Sequence, residues 1–342
     1  MGTYLSGASN VSHCEGIAHV KEAPFFKKGT DMSKIVEKYK HGYKSKLNLN
    51  QKRMFRSQFS EKSIWKGTAW VILYLLSIYT AIALSYWCFT GTISPILSYG
   101  IILFCVLFVA RQMRALENIV HFGSHNNFSQ RKRLNDWATN LLAAWPMLQD
   151  VRQYRDFHIE HHGEYGSHTD PCKIRLESIG VDSQKITTHM QLILVIMRWM
   201  PSYVREYYHE VKSRSTQFII FIEWHVIVGL VIGVSFSWSL AAFTLVMWVV
   251  VMFGVLPFLR SIAEFSEHDY KRGDSTINTT FNNLGLTDHL LLHPAGDAWH
   301  ALHHLHPTVS WWKQRAAHRF LMKHDSAYGN VLHRNSLLQI YC

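Results

Sequence analysis

The stretch Lys66–Arg111, KGTAWVILYLLSIYTAIALSYWCFTGTISPILSYGIILFCVLFVAR, carries no charged residue between its two ends. A bilayer crossing takes about 17–25 apolar residues, so this run is too long for one span. It breaks at residues 90–95, TGTISP, and reads as a helical hairpin with spans at about 67–89 and 95–112. A second apolar run, Phe218–Leu259, breaks at SFSWS (235–239) and contains only Glu223 and His225 as ionisable residues. It gives spans at about 218–234 and 239–259. Backbone N–H and C=O groups in hydrocarbon must be satisfied within the segment, which favours helices. The expected fold is therefore all-α, an integral membrane protein with four transmembrane helices in two hairpins and a cytosolic helical cap. The expected divisions are an N-terminal tail with an interfacial helix (1–64), a membrane domain (65–325) and a C-terminal tail (326–342).

Composition agrees with this. The 342 residues are 48% hydrophobic and 13% aromatic but only 17% charged, apolar for a soluble protein. The net charge of +11 raises nucleic acid as a partner. However, Lys and Arg gather beside the apolar runs, in Lys21–Lys66, at Arg111 and Arg114 and at Arg131–Arg133, where the positive-inside rule accounts for them without nucleic acid. The uncharged hairpin turns face outward on this reading, and the two termini and residues 111–217 face the cytoplasm. The start, MGTYLSGASNVSHCEG, lacks the basic and apolar regions of a signal peptide and fits a Met-Gly-x-x-x-Ser myristoylation pattern. Two further apolar runs are too short to cross. WATNLLAAWPM (137–147) reads as re-entrant or interfacial, and residues 191–200 as a wall or roof of a site at the membrane face. Gly229-x-x-x-Gly233 permits close helix contact.

The connector after the first hairpin holds RDFHIEHHGEYGSHTD (155–170). His158, His161 and His162 fall at i, i+3 and i+4 and share one helix face. The spacing recurs as His300, His303 and His304, and His121 and His125 form an i, i+4 pair on the continuation of the second span. With 22 His in 342 residues, a random H-x-x-H-H is expected roughly 0.09 times per chain, and two well under about 0.01 times. Imidazole suits Zn, Cu, Fe and Ni alike. A structural zinc needs four ligands, usually with Cys, whereas Cys14, Cys88, Cys105, Cys172 and Cys342 form no C-x-x-C. Eight or more imidazoles suggest two ions. Glu264 and His268, again at i, i+4, follow the fourth span and make His268 a ninth candidate. His289, His293 and His306 are expected to support the ligands or lie at the surface. The remaining histidines, among them His189, His225, His318 and His324, read as ordinary solvated or core residues. No Gly-rich nucleotide loop follows a strand, so reducing electrons must come from another protein.

These boxes resemble the membrane-bound fatty acid desaturase and hydroxylase family, over about residues 65–325. That family carries H-x(3–4)-H and two H-x-x-H-H boxes around four spans, here His121/His125, His158/His161/His162 and His300/His303/His304. The resemblance implies two non-haem Fe, O2 as co-substrate and a fatty acyl substrate as free acid, carrier ester or lipid. It also implies an external donor such as ferredoxin or cytochrome b5 with its reductase. In acyl-CoA desaturases an Asn-x-x-x-His precedes the last box, the His binding iron and the Asn acting through water. Glu264 stands here for the Asn, which makes it the expected catalytic residue and His268 a ligand. The first box has three intervening residues and the last begins with His, unlike the acyl-CoA Δ9 and front-end branches. The resemblance extends to bacterial relatives forming terminal alkynes or 1-alkenes, and implies residence in a bacterial inner membrane. Desaturation is the expected outcome, with decarboxylation to a terminal alkene or hydroxylation as alternatives. A non-catalytic membrane metal-binding or transport protein is the alternative from a different class.

An apolar substrate tunnel with a polar mouth is expected, with Arg152, Arg155 and Lys173 as head-group partners. Glu160, Asp170, Glu264 and Asp297 are expected to orient imidazole N–H groups.

Overall fold

The computed structural model describes residues 43–180, 189–273 and 276–335. The myristoylation pattern, the N-terminal tail to residue 42, the His189 side chain and residues 336–342 lie outside the described residues. Helix α1 (Leu49–Phe59) is closed by a reciprocal Asn48–Gln51 capping box. It buries Phe55 and Phe59 against Phe320 and His306.

Helices α2 (Ile64–Thr90) and α3 (Pro95–Ser124) form the first hairpin. Ser63 caps α2, and Pro95 starts α3, where its missing N–H costs nothing. The pair packs along Val71, Ile78, Ile82, Val109 and Met113, while Leu73, Leu76, Trp87, Phe104 and Leu107 face outward. Helix α8 (Ser215–Ser235) and the helix running Trp238–Glu267 form the second hairpin. All four are long and apolar enough to cross a membrane, and their outward faces supply the apolar surface that lipid requires. The chain is an all-α integral membrane protein. Its only strands among the described residues are β1 (Phe281–Asn283) and β2 (Leu332–Arg334), which pair in parallel.

Two spans outrun the hydrocarbon. At 1.5 Å per residue, the 30 residues of α3 extend about 45 Å against a core of about 30 Å. Its last part, Gln112–Ser124, is buried at every position. The fourth span is α9 (Trp238–Val250), a π turn at Val251–Val255 and α10 (Leu256–Glu267). The π turn precedes Pro257, whose ring removes a helical donor.

The segment 137–147 is not a free re-entrant loop. Helix α4 (Lys132–Thr139) continues as a π turn, Asn140–Ala144, and a 3-10 turn, Trp145–Met147. Indole N–H groups of Trp224 and Trp248 donate to Leu141 O and Pro146 O, each at 3.1 Å, which ties the segment to the second hairpin. Helices α5 (Val151–Gly163), α6 (Pro171–Ile179) and α7 (His189–Lys212) follow. Helix α7 turns Trp199 and Tyr203 onto Phe265 of α10 and leaves Met190, Ile193, Leu194 and Met197 exposed. The cap ends with α11 (Thr276–Thr279), α12 (His300–Leu305) and α13 (Gln314–His324). Of the two glycines read as a close-contact motif, Gly233 lies against the Trp238 ring and Gly229 faces open space.

Gly123 is the tightest joint between α3 and α4. A Cβ there would sit 2.5 Å from Thr139 Cγ2 and 2.6 Å from its Oγ1, and Thr139 is fully buried. Gly123→Ala is therefore expected to destabilise the detergent-solubilised protein by about 1–3 kcal/mol, read as a lowered Tm. Adding Thr139→Ala should recover part of the loss; a double variant no more stable than the single would contradict this packing account.

Candidate metal centre

Four segments deliver imidazoles to one buried place beyond the apolar part of the bundle. The end of α3 supplies His121, with His125 as its C-cap residue. Helix α5 supplies His158, His161 and His162. It begins at Asp150, which accepts from Arg152 N at 2.8 Å and from Asn140 Nδ2 at 2.8 Å. Arg155, one turn before His158, donates Nε to Ser124 O at 2.7 Å and pairs through both terminal nitrogens with Asp136. This buried contact caps α3 with a side chain of α5 and fixes the first two boxes against each other.

His268 follows α10. Its Nδ1 stands 3.0 Å from Tyr165 Oη and 3.2 Å from Thr280 Oγ1, which turns Nε2 towards His300 Nε2 at 3.0 Å. Gly296, at φ +84°, bends the chain into Asp297 and α12; a Cβ there would meet Trp311 O at 2.5 Å. Asp297 Oδ1 then lies 3.5 Å from His121 Nδ1 and 3.6 Å from His300 Nδ1. Asp170 Oδ1 stands 2.8 Å from His161 Nδ1. A carboxylate on the far nitrogen fixes the tautomer and aims the other nitrogen inward.

The nine predicted histidines come together and divide in two. Donor atoms of His121, His125, His158, His162 and His303 lie within 4.8 Å of one another. His161, His268 and His304 form a second group, and His268 also belongs to a third with His300 and Glu267. The halves touch where the His162 and His304 rings stack at 4.2 Å. Facing Nε2 atoms are close: 2.7 Å for His121 and His303, 3.0 Å for His158 and His162. His125 Nε2 and His304 Nε2 are buried with no hydrogen-bond partner.

Burial first, and neighbouring imidazoles second, hold His125, His158, His162, His268, His303 and His304 well below the usual histidine range. The rings are neutral at pH 7 and offer lone pairs. Convergent neutral imidazoles with orphaned nitrogens fit metal ions, whose ligands at about 2.0–2.2 Å must stand this close to one another.

The supporting residues differ from the expected ones. Asp297 and Asp170 touch ligand candidates as anticipated. Glu264 lines the adjoining cavity, but its carboxylate turns to Arg260 Nε at 2.7 Å and Arg175 Nη1 at 3.2 Å. Of the expected head-group partners, Arg155 is consumed by Asp136, Lys173 Nζ donates to Gly166 O and Arg152 is exposed beside Asp150. His293 is buried between Ser266 Oγ at 2.7 Å and Asp297 at 3.1 Å, a supporting residue. His306 packs on Tyr43 and Phe55, and His289 on Trp299.

Sequence reasoning missed Arg114, Glu117, Glu267, Arg260 and Arg175. Arg114 Nη2 reaches Glu267 at 3.1 Å and Asp297 at 3.5 Å, and its Nη1 reaches Glu117 at 3.4 Å. Arg114 and Glu117 stood out only as charges two turns and one turn before His121 in a largely apolar helix.

A small cavity of about 80 Å3 touches His121, His158, His161, His268 and His300. It shares Gln149, Tyr154, Phe157, Arg175 and Arg260 with an outer cavity of about 630 Å3 that also meets Arg205, Glu206, Glu210 and Arg214. The approach runs between polar ends of α3 and α10 and the inner faces of α6 and α7, where charged side chains pair with one another.

A helical membrane scaffold that carries nine clustered imidazoles at the end of its spans defines the class, a membrane protein whose histidine clusters are compatible with metal binding. The profile of the fatty acid desaturase family matches residues 94–336, well over half of the chain and all nine histidines. The chain belongs to the fatty acid desaturase family and is a desaturase-like membrane oxidoreductase of fatty acyl chains. No curated protein sequence matches it.

Two outcomes test the supporting contacts. Asp297→Asn is expected to weaken metal retention about 10–100-fold at both halves, measured by metal content after dialysis against graded chelator. Burial works against ionisation of Asp136, but Arg155 and Asn135 outweigh it and hold the carboxyl below its usual value. Its stabilisation is thus present above the unfolded carboxyl value of about 3.9 and is lost as pH falls through the lower folded value. Asp136→Asn should lower Tm at pH 7 and flatten the fall in Tm on the acid side.

Proposed function

We propose that the chain is an O2-dependent diiron oxidase that attacks an unactivated C–H bond in a fatty acyl chain, with desaturation as its outcome. The observation that carries this reading is the division of nine buried imidazoles into two touching halves inside a fatty acid desaturase. His121, His125, His158, His162 and His303 would hold one iron, and His161, His268, His300 and His304 the other. The irons, when bound, supply oxidising equivalents from O2 and externally delivered electrons.

The protein's own part is positioning and exclusion. Tyr165 and Thr280 hold the His268 ring, Asp170 holds His161, and Asp297 stands 3.5 Å and 3.6 Å from the Nδ1 atoms of His121 and His300, one ring in each half. Burial holds most of the imidazoles, His161 excepted, below the usual histidine range and restricts water at the reacting carbon. Glu264 acts from the cavity wall through Arg260 and Arg175, facing the substrate rather than the imidazoles. Electrons come from a separate ferredoxin or cytochrome b5 with its reductase. The protein resides in a bacterial inner membrane with the imidazoles and both termini on the cytoplasmic side, as the distribution of Lys and Arg favours.

A second reading, oxidative decarboxylation of a free acid to a terminal alkene, draws on the cavity. An enzyme of that kind holds the carboxyl end beside the metals. The space next to the imidazoles is lined by Arg114, Arg175 and Arg260, and Arg114 Nε and Arg175 Nη2 are buried donors without a partner. Hydroxylation has no observation of its own in its favour.

A transport role is less well supported, because its ionisable residues should face a pathway through the spans. His225 instead pairs Nδ1 with Phe221 O of its own helix at 2.9 Å.

Purified protein should contain about two Fe per chain and consume O2 with a reductase, ferredoxin and fatty acids; one Zn and no O2 consumption would overturn the oxidase reading. His→Ala at any of the nine positions should abolish turnover and lower iron content, whereas His324→Ala should leave both near normal. With free C10 to C18 acids, unsaturated products of unchanged length support desaturation. An alkene one carbon shorter establishes the decarboxylase instead.

A further inference from the structure

We infer that Glu267 is itself a metal ligand, supplying a carboxylate oxygen to the ion held by His161, His268, His300 and His304. The inference rests on the two-ion reading above and departs from the expectation that Glu264 occupies this place. Counting from His268, the i−4 position carries Glu264, but its side chain leaves for Arg260 and Arg175. Glu267, immediately before His268, points the other way.

Three observations carry this. First, Glu267, His268 and His300 present donor atoms within 4.8 Å of one another, all buried. Oε2 of Glu267 stands 3.7 Å from His300 Nε2, the nitrogen that also faces His268 Nε2 at 3.0 Å. Second, the two carboxylate oxygens have different surroundings. Oε1 accepts from Arg114 Nη2 at 3.1 Å and lies 3.8 Å from His293 Nδ1, whereas Oε2 faces the imidazoles. That division is the one a monodentate ligand needs, with one oxygen fixed by the protein and one free for the cation.

Third, the local charge calls for a cation. Arg114 stands within 3.5 Å of three carboxylates, Glu117, Glu267 and Asp297, and the guanidinium of Arg260 reaches only Glu117 of these, at 3.6 Å. Glu267 also closes α10, where the helix dipole disfavours an anion. Buried carboxylates in this number are tolerable only when paired or bound to metal. The ligand sets become five imidazoles in one half, and four imidazoles with one carboxylate in the other. The carboxylate would give the second ion a lower net charge than the first, making the two electronically distinct.

The test uses full-length protein in detergent, loaded with Co(II) as a probe as well as with Fe. Glu267→Gln keeps the size and the Arg114 contact but offers a poor ligand. The expected result is loss of one of two ions at a chelator concentration that leaves wild type intact, with the Co(II) d–d absorption of one site altered. Glu264→Gln should keep both ions and the spectrum. Glu267→Asp keeps the charge but withdraws the oxygen by one methylene, and should weaken one ion by an intermediate amount; it carries the test where Glu267→Gln fails to fold. Two ions retained at wild-type affinity with an unchanged Co(II) spectrum in Glu267→Gln or Glu267→Asp would overturn the assignment. Wild type holding fewer than two ions would instead overturn the two-ion reading on which it rests.

Discussion

Nine imidazoles pressed together out of water form the constraint on which the rest of this structure depends. Uncharged, they bury costly polar nitrogens, and charged, they would repel one another. The fold resolves this by making them converge, with burial holding most of them below the usual histidine range, whereas at His161 Cys172 and Asp170 outweigh burial and raise it. Carboxylates and hydroxyls take the outer nitrogens, as Asp170 does for His161 and Tyr165 for His268. The inner nitrogens are left facing one another across distances that suit a cation. Orphaned nitrogens such as His125 Nε2 and His304 Nε2 are then unmet demands compatible with a ligand-binding role.

The spans serve that constraint by their length. Helix α3 and the helix ending at Glu267 both run past the hydrocarbon and bring their polar ends side by side. Arg114 on one and Glu267 on the other meet at 3.1 Å. Arg155 then ties α5 to the last carbonyls of α3, and Asp297 joins the final box to the first. Each contact joins segments more than a hundred residues apart or caps a helix at the ring it carries. Seven of the nine rings are carried on helices, with His125 and His268 at helix C-caps, and sites built on rigid elements hold their geometry more closely than sites on loops.

The polar lining beside the imidazoles bears on the chemistry. An acyl tail gains by entering apolar space, at roughly 25 cal/mol per Å2 buried, and gains nothing among Arg114, Glu117, Arg175, Arg260 and Glu264. A carboxyl group has the reverse preference. The cavity beside the imidazoles offers both kinds of surface, its charged side chains standing alongside Tyr154, Phe157 and Leu176.

Much of this was legible in the sequence because it rests on short-range periodicity. Apolar runs broken at TGTISP and SFSWS, the first without a charge and the second with Glu223 as its one acidic or basic charge, give four spans, since hydrocarbon disfavours charges and open backbone. His spacings of i, i+3 and i+4 put the imidazoles on helix faces, and the family resemblance followed from those boxes. The sequence could not show how the imidazoles group, because His161 and His162 are chain neighbours that point into different clusters. Nor could it separate Glu264 from Glu267, one turn apart at a helix end. The i, i+4 rule favoured Glu264, yet Arg260 and Arg175, brought in from one turn back and from α6, capture that carboxylate. Tertiary packing decided those points, since ligand partition, charge pairing and the polarity of the cavity depend on which distant side chains arrive within about 4 Å of one another.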